Sequence, residues 1–322
     1  MSVTPKILVH GGAGAMRSMG GEREAAYRAG LVEAARLGRE ALRAGDALEA
    51  VLVAVRHMEA CGAFNAGVGS CLDEDGRFSL DAALMRGSDR AAGAVGACAA
   101  TVHPTDVARA LLEEGRHVLL VGEGAERRAR ALGLPALGAP PEEKLETYRR
   151  LLADASKRAP EDLSTVGRPD DEQAEDSQDT VGAVAVDARG RVAAAVSTGG
   201  LWLKLRGRVG DSAIPGAGLY ACDALGGASS TTGIGERMIR ALTAKLACDL
   251  IAAGADAQAA AQGAVDDLAQ RFGPDSGGIV VVDRLGRLGA AFNTQGMGRA
   301  LASLGDEAVP VAVWPEEPFP LD

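Results

Sequence analysis

One turn is written three times in this chain, and it limits the possible folds more than any other feature. Asp73-Glu-Asp-Gly-Arg, Asp187-Ala-Arg-Gly-Arg and Asp283-Arg-Leu-Gly-Arg share an aspartate, a glycine three residues on and an arginine after it. An Asp side chain can bond the backbone ahead of it, and the glycine takes the left-handed conformation that closes a tight hairpin. Small and β-branched residues flank the second and third turns, in VGAVAVDARGRVAAAVSTGG and GGIVVVDRLGRLGAAFNTQG. Both read as antiparallel hairpins. LDEDGRFSLDAALM is expected to form two short strands about the first turn. KILVHGG and AGAVGACAATV read as further strands, and HVLLVG as a buried one. Helical patterns run over about 22–43, 46–59 (N-cap Asp46), 123–133, 142–158, 235–253 and 255–272, and Pro104 opens another. The turns are unequally spaced and helices intervene, which excludes a solenoid. Hairpins interspersed with helix pairs predict an α+β fold, a four-layer αββα sandwich with two antiparallel sheets between helical layers.

Composition narrows the function. With 322 residues and 47% hydrophobic content, the chain can bury a core as one large domain or two closely packed ones. A net charge of −10 and the absence of any basic run argue against a nucleic-acid partner. No apolar run is long enough to span a membrane, and the N-terminus lacks a signal-peptide core. Cys61, Cys71, Cys98, Cys222 and Cys248 form no CxxC pair, so they read as reduced thiols of a cytoplasmic protein. HGGAGAMRSMGG follows a strand but has Arg17 where a dinucleotide fingerprint needs its third glycine. GPDSGG at 273–278 reads as a polar turn. The histidines His10, His57, His103 and His117 are scattered, without metal-ligand spacing, which argues against zinc or histidine-based hydrolysis.

A nucleophile must then be activated another way. Residues 159–179 are rich in acids and poor in apolar groups, and are expected to form a solvated linker. The run stops at Asp179-Thr180, and an apolar strand follows at once. A threonine at a chain N-terminus carries its own base, since the α-amine has a pKa near 8. A cut between Asp179 and Thr180 would create that arrangement.

Taken in order, HGGAGA (10–15), FNAGVG (64–69), LDA (80–82), DTVGAVAVD (179–187), STGG (197–200), GRVGDS (207–212), TTGIGE (231–236) and FNTQGM (292–297) span nearly the whole chain. The sequence resembles the plant-type asparaginase and isoaspartyl peptidase family of N-terminal-nucleophile hydrolases. The resemblance implies self-cleavage before Thr180 into an α subunit (1–179) and a β subunit (180–322) that remain one αββα domain. Thr180 would attack the side-chain amide of asparagine or an isoaspartyl linkage, Thr198 would orient it, and Thr232 with the Gly233 N–H would stabilise the oxyanion. Arg208 and Asp211 would hold the substrate's carboxylate and ammonium, the guanidinium as a bidentate clamp, with Gly233 and Gly235 beside the ammonium. Asn65 would approach the threonine. HMEACGAFNAGV resembles the family's alkali-cation loop, in which the carbonyls of Met58, Glu59, Cys61, Phe64, Ala66 and Val68 would hold sodium or potassium. No organic cofactor is implied, the substrate is a small molecule, and the assembly is a homodimer of αβ units. The chain departs from common family residues at Leu203, Ala213, Gly298 and Arg86, which bears on substrate preference. Two rivals stand beside this reading: a glycosylasparaginase-type amidase, to which IPGAG (214–218) is similar, and a non-catalytic glycine-rich anion binder.

Overall fold

Alternate residues of the central hairpin face different layers, and this organises the molecule. The structure, a computed structural model, describes residues 3–14, 16, 19–43, 45–153 and 180–321. The expected linker, Asp179 and the end of the 142–158 helical pattern lie outside the described residues. In chain order the elements are β1 (Lys6–Gly14), α1 (Gly21–Arg43), α2 (Ala47–Ala60), β2 (Leu80–Arg86), β3 (Ala92–Cys98), α3 (Pro104–Glu114), β4 (Leu119–Val121), α4 (Glu123–Ala131) and α5 (Glu142–Ala153). They continue with β5 (Val181–Val186), β6 (Val192–Thr198), β7 (Leu219–Cys222), β8 (Gly227–Gly233), α6 (Gly235–Ala241), α7 (Thr243–Ala252), α8 (Ala257–Phe272), β9 (Gly277–Asp283), β10 (Leu288–Phe292), β11 (Gly296–Ser303) and β12 (Val311–Ala312).

Among the described residues the strands form an eight-stranded sheet, β12-β11-β1-β5-β6-β2-β3-β4, and a four-stranded one, β10-β9-β8-β7. Val181, Ala183 and Ala185 of β5 pack toward α1 and α2, whereas Val184 and Val186 meet Val280 and Val282 of the other sheet. Ile279 and Val281 turn from that interface toward α7 and α8. Both sheets are thus covered on both faces, and for this reason central strands such as β5, β6 and β9 are buried along their whole length rather than on alternate residues. The order helices, sheet, sheet, helices is the expected αββα sandwich.

The three turns share one geometry. Asp73, Asp187 and Asp283 each accept, on Oδ1, the backbone N–H groups two and four residues on, at 2.8–3.0 Å. Gly76, Gly190 and Gly286 sit at φ 72, 69 and 84°. The second strand expected about the first turn forms as β2 from Leu80, but the first turn lacks the strand expected before it. Its flanks bond the 201–204 loop instead, through Leu203 N to Leu72 O and Glu74 N to Lys204 O, both at 2.9 Å. Two further expectations are corrected. β4 is a sheet edge rather than a buried strand: Leu120 packs inward, while Leu119 and Val121 remain 41% and 52% exposed. The 235–253 helix is broken at Leu242, whose φ of 52° separates α6 from α7.

Candidate active site

Thr180 stands at the head of β5, where the strand emerges from the core, and is nearly fully buried. Its Oγ1 lies 3.1 Å from Oγ1 of Thr198, the last residue of the neighbouring β6. The antiparallel register Val181↔Ser197 sets these two hydroxyls side by side. Thr198 Oγ1 also accepts the Gly200 N–H at 3.0 Å, which fixes its rotamer.

The two threonines form one wall of a small cleft also lined by Gly200, Leu201, Arg208, Asp211, Gly233 and Gly235. Six of the sequence-derived candidates therefore meet at one place. Thr232 is fully buried beside cleft-lining Gly233, and its Oγ1 accepts the Ala13 N–H at 3.1 Å. That bond occupies a lone pair and leaves the hydroxyl proton available to an incoming oxygen. Asn65 reaches the cleft wall through the backbone: it donates to Gly200 O at 2.8 Å and accepts from Cys71 N at 2.8 Å, bracing the turn after Thr198.

Charges of both signs are built into the cleft. Asp211 is 5% exposed, and burial pushes its acid up to about 6 against the opposing pull of Arg208 and a Thr231 hydroxyl at 3.2 Å. Arg208 does not present its fork as a free bidentate clamp. Nε and Nη2 bond Glu236 at 2.9 and 3.0 Å, because a largely buried guanidinium left unpaired is costly. Burial lowers the Arg208 pKa, but its hydrogen bonds to Glu236 and the carboxylate's charge more than offset this and raise it. Nη1 then remains for a ligand's carboxylate. Sequence reasoning gave Glu236 no role, although it closes TTGIGE; a buried arginine calling for an acid was the available signal. Behind the cleft, Lys204 Nζ donates to Ser79 O and Gly199 O at 2.5 and 2.7 Å, with its pKa lowered by burial. Asp81 accepts Ala97 N and Gly210 N at 2.9 and 2.8 Å, which anchors the start of the Arg208–Asp211 segment.

The loop after α2 folds on itself. A Cβ on Gly69 would strike the Phe64 carbonyl oxygen and lie 3.1 Å from that of Gly62, and one on Gly67 would strike the Glu59 carbonyl. Neutral backbone oxygens thus crowd around bare glycines, the donor chemistry that suits an alkali cation. The Ala66 carbonyl already accepts Gly69 N at 3.0 Å. The Glu59 side chain is committed elsewhere, to His103 at 3.1 Å and the Thr105 hydroxyl at 2.8 Å, with burial raising its pKa.

An αββα sandwich with a threonine at the head of a central strand is the N-terminal-nucleophile hydrolase architecture. A family profile described as Asparaginase matches residues 3–309, and the chain belongs to that family. It is 42% identical over 302 residues to a plant-type L-asparaginase of Pyrobaculum calidifontis, covering 93% of this chain and 97% of the relative. It is also 42% identical over 304 residues to an isoaspartyl peptidase of Salmonella typhimurium (93% and 96% covered). An isoaspartyl peptidase/L-asparaginase of Xenopus laevis is 38% identical over 311 residues (96% and 95% covered).

Proposed function

We propose that this chain cleaves itself between Asp179 and Thr180, hydrolyses L-asparagine to L-aspartate and ammonia, and splits isoaspartyl dipeptides. The observation that carries the reading is the 3.1 Å pairing of Thr180 and Thr198 in a cleft that also holds Arg208 and Asp211. The names of the relatives point to the same two substrates.

Both substrates present an α-carboxylate and an α-ammonium to the enzyme. Arg208, held by Glu236, takes the carboxylate through Nη1, and Asp211 takes the ammonium with the Gly233 and Gly235 backbone beside it. The scissile amide carbonyl is thereby aimed at Thr180, an arrangement that converts binding energy into orientation. The freed Thr180 amine accepts the hydroxyl proton as Oγ bonds to the carbonyl carbon. The oxygen gains the negative charge, which the Thr232 hydroxyl and Gly233 N–H stabilise. Collapse breaks the C–N bond, and the departing nitrogen takes the proton from the ammonium of Thr180. Water then attacks the ester by the reverse sequence of proton transfers and releases the acid. The Thr198 hydroxyl, 3.1 Å from Thr180 Oγ1, steadies the nucleophile throughout.

The reading includes a sodium or potassium ion held by carbonyls of the 58–68 loop, which would brace α2 against the turn carrying Asn65. It extends to a homodimer of processed units in the cytoplasm, for which sedimentation of the purified protein is the check. Activity is tested by ammonia release from L-asparagine and amino-acid release from an isoaspartyl dipeptide. The wild type is expected to perform both and Thr180→Ala neither; full activity in Thr180→Ala would refute the reading.

A further inference from the structure

The nucleophile's hydroxyl is fixed by Thr198, but an N-terminal threonine must also hold its amine in place. Its backbone is supported from the β1 side in an unusual way. The ladder between β1 and β5 ends at His10↔Gly182, two residues short of Thr180, and β1 shifts register between His10 and Gly12. Where the backbone ladder stops, a side chain takes over: His10 Nδ1 lies 3.1 Å from the Thr180 carbonyl oxygen. His10 Nε2 lies 2.9 Å from the Ser230 hydroxyl on β8, in the opposing sheet. A carbonyl only accepts, so Nδ1 carries the proton and Nε2 accepts from Ser230. Burial holds the ring neutral, with its pKa near 3. Room for this bridge comes from Gly182, where a Cβ would collide with both the His10 ring and the Ser230 hydroxyl.

We infer that His10 is a positioning residue for the nucleophile: its Nδ1–H fixes the Thr180 carbonyl and, with it, the bearing of the amine and hydroxyl on the same Cα. The inference rests on Thr180 being the nucleophile and adds a residue that touches neither substrate nor reacting atom. The bridge ties three strands and both sheets together at the strand head, so the amine of Thr180 is aimed by the fold rather than by the ligand. Substrate binding, on the proposed function, belongs to Arg208 and Asp211, neither of which is a hydrogen-bond partner of His10.

His10→Asn and His10→Gln separate positioning from packing. Both remove the ring, but the Asn amide nitrogen falls near the place of Nδ1, within reach of Thr180 O. The Gln amide falls near Nε2, within reach of Ser230 only. Fragment formation by intact mass, then kcat and KM on L-asparagine, would be measured for the wild type and both variants. His10→Asn is expected to process and to keep kcat within about fivefold, while His10→Gln loses about 10- to 100-fold in kcat at nearly unchanged KM, or fails to process. Equal behaviour of the two variants, whether both active or both impaired, would overturn the positioning role, since the placement of the donor beside Thr180 O would then make no difference. An unprocessed and inactive wild type would instead remove the nucleophile reading beneath it, so the two failures are distinguishable.

Discussion

Asp211 shows how function and stability oppose each other at a single residue. Its acid is raised from an ordinary 3.8 to about 6 in the folded protein, so the native state binds this proton more tightly than the unfolded chain does. The stability this contributes is complete below about pH 4 and is lost as pH rises through about 6. Asp211→Asn is therefore expected to be more stable than wild type at neutral pH by up to about 3 kcal/mol, with the gap closing toward pH 4. Urea unfolding of both proteins at pH 4 and pH 7.5 measures it, and an unchanging gap would contradict the assignment. The same ionisation is needed to hold a substrate ammonium, so kcat/KM is expected to fall below about pH 6 in the wild type. Glu236→Ala strips Arg208 of its partner; it is expected to destabilise the fold by about 2–3 kcal/mol and to raise KM for asparagine, read from unfolding and steady-state kinetics. That Thr180, Thr198, Arg208 and Asp211 meet in one cleft was legible because each sits in a short motif that carries the family resemblance. Glu236 and His10 were not, because their partners lie across the chain, Arg208 on another loop and Thr180 and Ser230 on other strands. Such pairing has no local signature.

Elements were legible where the physics is local. An aspartate accepting two N–H groups around a left-handed glycine needs nothing outside five residues, and all three turns form as read. The missing strand before the first turn was not legible, since the bonding of that flank is decided by the distant 201–204 loop. The exposure of β4 was hidden for a similar reason: apolar composition does not reveal which strand ends a sheet. One turn carries avoidable strain. Arg90, between β2 and β3, is exposed and held at φ 60°, a conformation that asparagine tolerates better than arginine. Arg90→Asn is expected to add about 0.5–1 kcal/mol in thermal unfolding, and a loss of stability would count against strain at this turn. The 58–68 loop carries its own test. If its carbonyls hold an alkali ion, replacing sodium by choline at equal ionic strength is expected to lower Tm, and an unchanged Tm would remove the cation from the account.

For the molecule as a whole, alternating hairpins and helix pairs were enough to give the four layers, but not the strand order that brings β5 between β1 and β6. That order matters most, because it puts Thr180 at the head of a strand braced on both sides, with Thr198 on one and His10 on the other. On the proposed function, such a strand head becomes a chain terminus. Intact mass spectrometry of the purified wild type and Thr180→Ala tests it most directly. The wild type is expected to separate, on denaturation, into residues 1–179 and 180–322, and Thr180→Ala to remain a single chain of 322 residues. A wild type that stays intact, or a Thr180→Ala chain cut at the same bond, would contradict it.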